Sequence, residues 1–184
     1  MHYEYGGSIN VKDAPEGTNP IREAVDQIVA DEEEYGDCTK LIEMLDIMGD
    51  HYYCSMDGYD FGGTYDDMGD MESFFYAVRD KVMELYPDCS MDAHFNGFNS
   101  SSGAEEGFTT QLRNRHVKEL DYELTEGGLP CPDPDCDGYC VYLSDVEFDR
   151  EYDCEECGKH ITVDEMNKIL APYVEEYDLP DKEA

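Results

Sequence analysis

Cys131-Pro132-Asp133-Pro134-Asp135-Cys136, followed after 17 residues by Cys154-Glu155-Glu156-Cys157-Gly158, is the most informative stretch of the chain. Each close-spaced pair suits a tight turn that aims two thiolates at one ion. Two such turns supply the four ligands of a tetrahedral zinc site. Cys131, Cys136, Cys154 and Cys157 are therefore the expected ligands of one structural Zn2+. All four positions are filled, so no coordination site is left open for catalysis, and the net charge of such a site is about −2. Gly158 supplies a permissive backbone after the second turn. Between the pairs, Tyr139 to Leu143 and Val146 to Tyr152 read as the two strands of a hairpin.

Residues 129 to 160 resemble the zinc-ribbon family, in the variant with four residues between the first two cysteines. The resemblance implies a small module that needs its metal to fold. Two substitutes stand close by: Cys140 for Cys136, and His160 for Cys157. Asp133, Asp135, Asp137 and Gly138 match the start of a calcium-binding loop, but its twelfth position is Ser144 rather than Glu, which argues against calcium. After the ribbon, Thr162 and Glu165 form a capping box, with Ile161 and Met166 as its hydrophobic staple. Val163, Met166, Ile169, Leu170 and Val174 give that helix an apolar face, and Pro172 is expected to kink or end it.

Upstream, Tyr3 to Val11 alternates as a strand, with Gly6-Gly7 as a bulge candidate. Asn19-Pro20 opens a helix whose apolar face is Ile21, Ala24, Val25, Ile28 and Val29. Asp37 or Thr39 can cap a second short helix carrying Leu41, Met44, Leu45 and Met48. His51 to Phe61 reads as a strand and Gly62-Gly63 as a turn. Asp70 is the expected cap of the strongest helix, with Met71, Phe74, Phe75, Val78, Val82 and Leu85 on one face and Pro87 ending it. Met91 to Phe98 reads as a strand, Asn99 to Glu106 as a loop, and Phe108 to Leu124 as one long strand or two. This order predicts an α+β fold: a mixed or antiparallel sheet with helices on one face, plus a small C-terminal zinc ribbon and helix. Gly127-Gly128 divides an acidic domain, 1–128, from the ribbon and helix, 129–184.

Leu, Ile, Val and Phe number 34 of 184 residues, a share that with high net charge usually marks disorder. Fifteen Tyr, nine Met and clean helical periodicity point instead to a folded chain with a Tyr- and Met-rich interior. Asp and Glu total 46 against 12 Lys and Arg, a formal net charge of −34. A folded chain of this length spans ~40 Å, and duplex DNA of that length carries roughly 24 charges. The protein thus exceeds DNA of its own size in negative charge, which disfavours nucleic acid and acidic lipid surfaces as direct partners. Met1-His2-Tyr3-Glu4-Tyr5-Gly6-Gly7 has no basic region leading into an apolar stretch, so no secretory leader is expected. With cysteines at metal spacing, a reducing cytoplasm is the expected setting.

No phosphate loop, dinucleotide fingerprint, Gly-x-Ser-x-Gly elbow or His-Glu-x-x-His pair occurs in the sequence. Carboxylates are too abundant for any acid pair to carry information. Surrounding negative charge would raise the thiol pKa of Cys38, Cys54, Cys89 and Cys140, which read as buried and structural. His2, His51, His94 and His116 are a lesser candidate for a second metal site. Arg113, Arg115, His116 and Lys118, the only basic cluster, read as a strand face balancing nearby acids.

The expectation is therefore a non-enzymatic binding protein whose carboxylates imitate the nucleic-acid backbone. In size, charge and the interleaving of aromatics with acids, as in Tyr52-Tyr53, Tyr59-Asp60-Phe61 and Tyr65-Asp66-Asp67, it resembles acidic anti-CRISPR and antirestriction proteins of phages and mobile elements. That resemblance implies a basic nucleic-acid-binding partner: a CRISPR effector nuclease first, or a restriction enzyme. Asp57, Tyr59, Asp60, Tyr65, Asp66, Asp67 and Asp70 are the candidate partner-binding residues. The alternative is a zinc-dependent interaction module of a transcription or regulatory assembly.

Overall fold

The computed structural model describes residues 3–31, 46–48, 51–57, 65–99, 103–125 and 128–181, with side chains for 6–31, 71–98, 103–123 and 128–181. Strand β1 (Tyr3–Lys12) leads to α1 (Pro20–Ala30), β2 (Asp46–Met48), β3 (His51–Asp57), α2 (Tyr65–Leu85), β4 (Ser90–Asn99), β5 (Ala104–Arg113) and β6 (His116–Thr125). The C-terminal part holds β7 (Gly128–Pro130), β8 (Tyr139–Tyr142), a 3-10 turn (Leu143–Asp145), β9 (Tyr152–Asp153), β10 (His160–Ile161), α3 (Val163–Leu170) and β11 (Glu175–Asp178).

Seven strands form one sheet in the order β11-β6-β5-β4-β1-β3-β2, and every neighbouring pair is antiparallel. Because β1 lies between β3 and β4, α2 joins two parallel strands across it. Among the described elements, β1-α1-β2-β3-α2-β4 is the split βαβ order of ferredoxin-like folds. The β5–β6 hairpin widens the sheet, turning through Asn114 and Arg115, both at positive φ (51 and 67) as a two-residue hairpin turn demands.

Strand alternation gives the sheet two buried faces. On the first, Ile9, Val11, Met91, Phe95, Phe108 and Leu112 meet α1 and α2. Asn19 caps α1 by accepting from the Arg22 N–H at 3.1 Å, with Pro20 in the first turn, as the sequence predicts. Ile21, Ala24, Val25 and Ile28 are buried, whereas Val29 is exposed. Met71, Phe74, Phe75, Val78 and Val82 are buried along α2. Gly7 is not a bulge, since β1 pairs with β3 and β4 in unbroken register. It leaves room for Phe75: a Cβ at Gly7 would lie 2.6 Å from the Phe75 ring. The bulge falls in β5, between Glu105 and Gly107. On this same face Arg79, 5 % exposed, stacks on Tyr76 and Phe108 and donates to Thr110 Oγ1 (2.9 Å), Glu119 and Asp80.

The second face carries the C-terminal part. Leu120 and Tyr122 of β6 form a second core with Leu129, Val146, Phe148, Ile161, Met166 and Leu170. The chain then returns to the sheet, where β11 pairs with β6 as its edge strand. No helix among the described residues is long and apolar enough to cross a membrane.

Several expectations change. Helix α2 starts at Tyr65, so Asp70 is an interior residue rather than its cap. Asp46 to Met48 form β2, so Met48 is not in a helix; Leu41, Met44 and Leu45 of that expected helix, and the Gly62-Gly63 turn, lie outside the described residues. Phe108 to Leu124 resolves into two strands, and Ala104 to Glu106 extend β5 into the expected loop.

Candidate metal centre

Each cysteine pair sits on its own small hairpin. The first is β7–β8: Cys131 N–H donates to Gly138 O at 2.9 Å, and Cys136 N–H to Asp133 O at 3.0 Å. The second is β9–β10: Cys154 N–H donates to Lys159 O at 2.9 Å, and Gly158, at φ 71, donates to Cys154 O at 2.8 Å. This corrects the expected hairpin. Tyr139 to Leu143 and Val146 to Tyr152 do not pair with each other. The strand next to each cysteine turn pairs across that turn instead, which closes the loop holding two thiols.

The four sulfurs lie within 4.8 Å of one another. Cys131 and Cys157 are 3.7 Å apart, as are Cys136 and Cys154. Four sulfurs placed ~2.3 Å from a central ion in a tetrahedron are ~3.8 Å apart, so the cluster has the dimensions of a four-thiolate metal site. Cys154 is 1 % exposed and Cys157 is exposed, so the site opens to one side. Gly138 is required by close approach: a Cβ there would stand 3.2 Å from Cys154 Sγ and 3.3 Å from Cys136 Sγ. Its N–H also points at Cys136 Sγ, 3.4 Å away.

The thiols are shifted in opposite directions. The Cys157 backbone N–H, with that of Glu156, holds the Cys154 thiol down to about 7. At Cys136 the Gly138 N–H favours the thiolate, but burial and the sulfurs of Cys157, Cys154 and Cys131 push the thiol up to about 12. Four thiolates at these distances would repel one another, and a central dication would let all four ionise.

Both substitutes are excluded by position. Cys140 is buried outside the cluster, with Sγ 3.2 Å from Pro130 O. His160 Nδ1 lies 2.8 Å from Asp153 and 3.5 Å separates its Nε2 from Glu151; those carboxylates, Asp153 first, raise its pKa. Among the described residues no second group of His, Cys and acids comes together in this way. His94 pairs with Ser8 (3.2 Å) and His116 with Asp178 (3.2 Å), while His2 lies outside the described residues.

Tyr152 fastens the loop between the hairpins, accepting from Glu147 N–H at 2.7 Å and donating to Asp145 O at 3.2 Å. The capping box of α3 is present: Glu165 N–H donates to Thr162 Oγ1, and Thr162 N–H to Glu165. The basic cluster is engaged by acids. Arg113 binds Asp92 through two contacts (2.9 and 3.1 Å), Arg115 faces Asp88 and Asp181, and Lys118 meets Glu176 at 3.4 Å. Of the candidate partner-binding residues, Asp57 ends β3, and Tyr65, Asp66, Asp67 and Asp70 occupy the first two turns of α2. Tyr59 and Asp60 lie outside the described residues.

No protein-family model matches the chain, and neither a curated protein nor a solved structure matches it.

Proposed function

We propose that the protein is a non-enzymatic inhibitor that presents its carboxylates as a substitute polyanion to the cationic groove of a nucleic-acid-binding protein. One structural zinc, held by Cys131, Cys136, Cys154 and Cys157, fixes the ribbon against the sheet. The observation that carries this reading is the charge excess: −34 overall, on a chain with only 12 Lys and Arg, seven of which pair with the chain's own carboxylates. Lys12, Arg79, Lys81, Arg113, Arg115, Lys118 and Arg150 each lie within 3.8 Å of a carboxylate. What remains facing outward is overwhelmingly negative. Such a field speeds encounter with a basic partner and suppresses binding to nucleic acid itself. A CRISPR effector nuclease is the first partner to test and a restriction enzyme the second, both in the cytoplasm of the cell that holds them.

The test is capture of purified nucleases by the zinc-loaded chain across a salt series, alongside inhibition of cleavage. Binding that weakens steeply between 50 mM and 300 mM salt and is displaced by competing nucleic acid supports the proposal. Binding indifferent to salt, or direct binding to duplex DNA in a gel shift, refutes it; the latter favours a zinc-dependent module of a transcription assembly. Elemental analysis should return one zinc per chain.

A further inference from the structure

A cleft of about 910 Å3 separates the second face of the sheet from the ribbon. That volume lies within the range of ligand sites, roughly 300–1,000 Å3. The two walls differ in charge. On the sheet side, Lys12 and Arg113 are both tied to Asp92, at 3.4 and 2.9 Å. On the ribbon side the one cation, Arg150, is tied to Glu147 at 2.9 Å. The ribbon wall therefore keeps an excess of carboxylates, Asp145 and Asp149 among them.

Two further observations give this wall a direction. Gln111, 8 % exposed, donates from Nε2 to Asp149 Oδ2 at 2.7 Å, which leaves the second carboxylate oxygen of Asp149 as an acceptor. Thr109 lines the same cleft from β5, is 7 % exposed, and its hydroxyl has no hydrogen-bond partner in the protein. An unpartnered hydroxyl can accept as well as donate, so a donor brought into the cleft can satisfy it. A guanidinium is the complementary group: flat, always charged, with five N–H donors and no acceptor.

We propose that this cleft receives an arginine side chain of the basic partner, its N–H groups donating to Asp145, Asp149 and Thr109 Oγ1. The inference rests on the polyanion reading and adds to it one specific pocket within a diffuse field. The carboxylates of the ribbon wall disfavour an anion. A lysine ammonium would feel the same field but lacks the planar fork that meets several acceptors at once.

The experiment uses the full zinc-loaded chain and two probes, octa-arginine and octa-lysine peptides, titrated calorimetrically at low salt. The wild type should prefer octa-arginine. Asp145→Asn combined with Asp149→Asn should weaken octa-arginine binding ~10–100-fold and remove the preference, as loss of charge-assisted hydrogen bonds requires. Glu16→Gln combined with Asp26→Asn deletes the same charge from exposed positions at and before α1, and should change affinity by no more than about threefold, as exposed charges do. Thr109→Val should weaken octa-arginine binding without touching net charge, and Thr109→Ser should restore it; zinc content and melting temperature confirm that each variant is folded. Equal losses from the two double variants, with no preference for arginine, overturn the cleft and leave the polyanion reading standing. Failure of the wild type to bind either peptide at low salt removes both.

Discussion

The two faces of one sheet are held by different physics. Against the first, α1 and α2 bury a layer in which Phe75, Phe95 and Phe108 are fully inaccessible, and no metal is needed. Against the second, the ribbon buries fewer side chains and draws two two-strand hairpins together at four sulfurs. The second core includes Cys131 and Cys154 themselves, so a metal held by the four cysteines would join directly to the apolar packing there. A module this short has little area to bury, and a metal ion at the four sulfurs would supply what area does not.

That contrast can be broken most forcefully by removing the metal. Chelation, or Cys154→Ser, should unfold β7 to β10, since a structural zinc contributes about 10–16 kcal/mol. Hydrogen exchange should show protection lost across the two hairpins while amides of β1, β4 and β5 keep theirs. Equal loss in both regions would mean that the two cores are a single cooperative unit.

The converse perturbation is Phe75→Ala. It should cost ~3–5 kcal/mol in denaturant unfolding and leave zinc stoichiometry at one. Smaller in effect, Gly138→Ala places a methyl against two sulfurs, and zinc affinity measured by competing chelator should fall ~10–100-fold with the first core unaffected.

The gentlest probe is pH. Burial first, then Glu106, Asp121 and Glu123, pushes the Glu72 carboxyl up to about 7. A carboxyl raised in the folded state binds its proton more tightly there than in the unfolded chain. Its contribution is therefore favourable below the unfolded value near 4.5 and is lost as pH rises towards 7. Glu72→Gln should raise the melting temperature at pH 8 and leave it nearly unchanged at pH 4.5.

Much of this was legible in local chemistry. Asn19-Pro20 and the Thr162–Glu165 box mark helix starts because capping is settled within four residues, and both caps stand where the sequence puts them. Asp70 misled because a good capping residue inside a longer helix looks the same as one at its start. The hairpin expected between Tyr139 and Tyr152 failed because strands of two to four residues carry no periodicity that names a partner.

By itself the sequence determined the charge, the caps of α1 and α3 and the four cysteines that cluster, since each depends on residue identity or on spacing of a few positions. Only the tertiary structure decided that β1 lies between β3 and β4, that Gly7 makes room for Phe75, and that Thr109 and Gln111 face the ribbon's carboxylates across a cleft. Those facts join residues tens of positions apart. Which of them meet is set by the packing of two faces on one sheet, a global minimum that no short window of chain encodes.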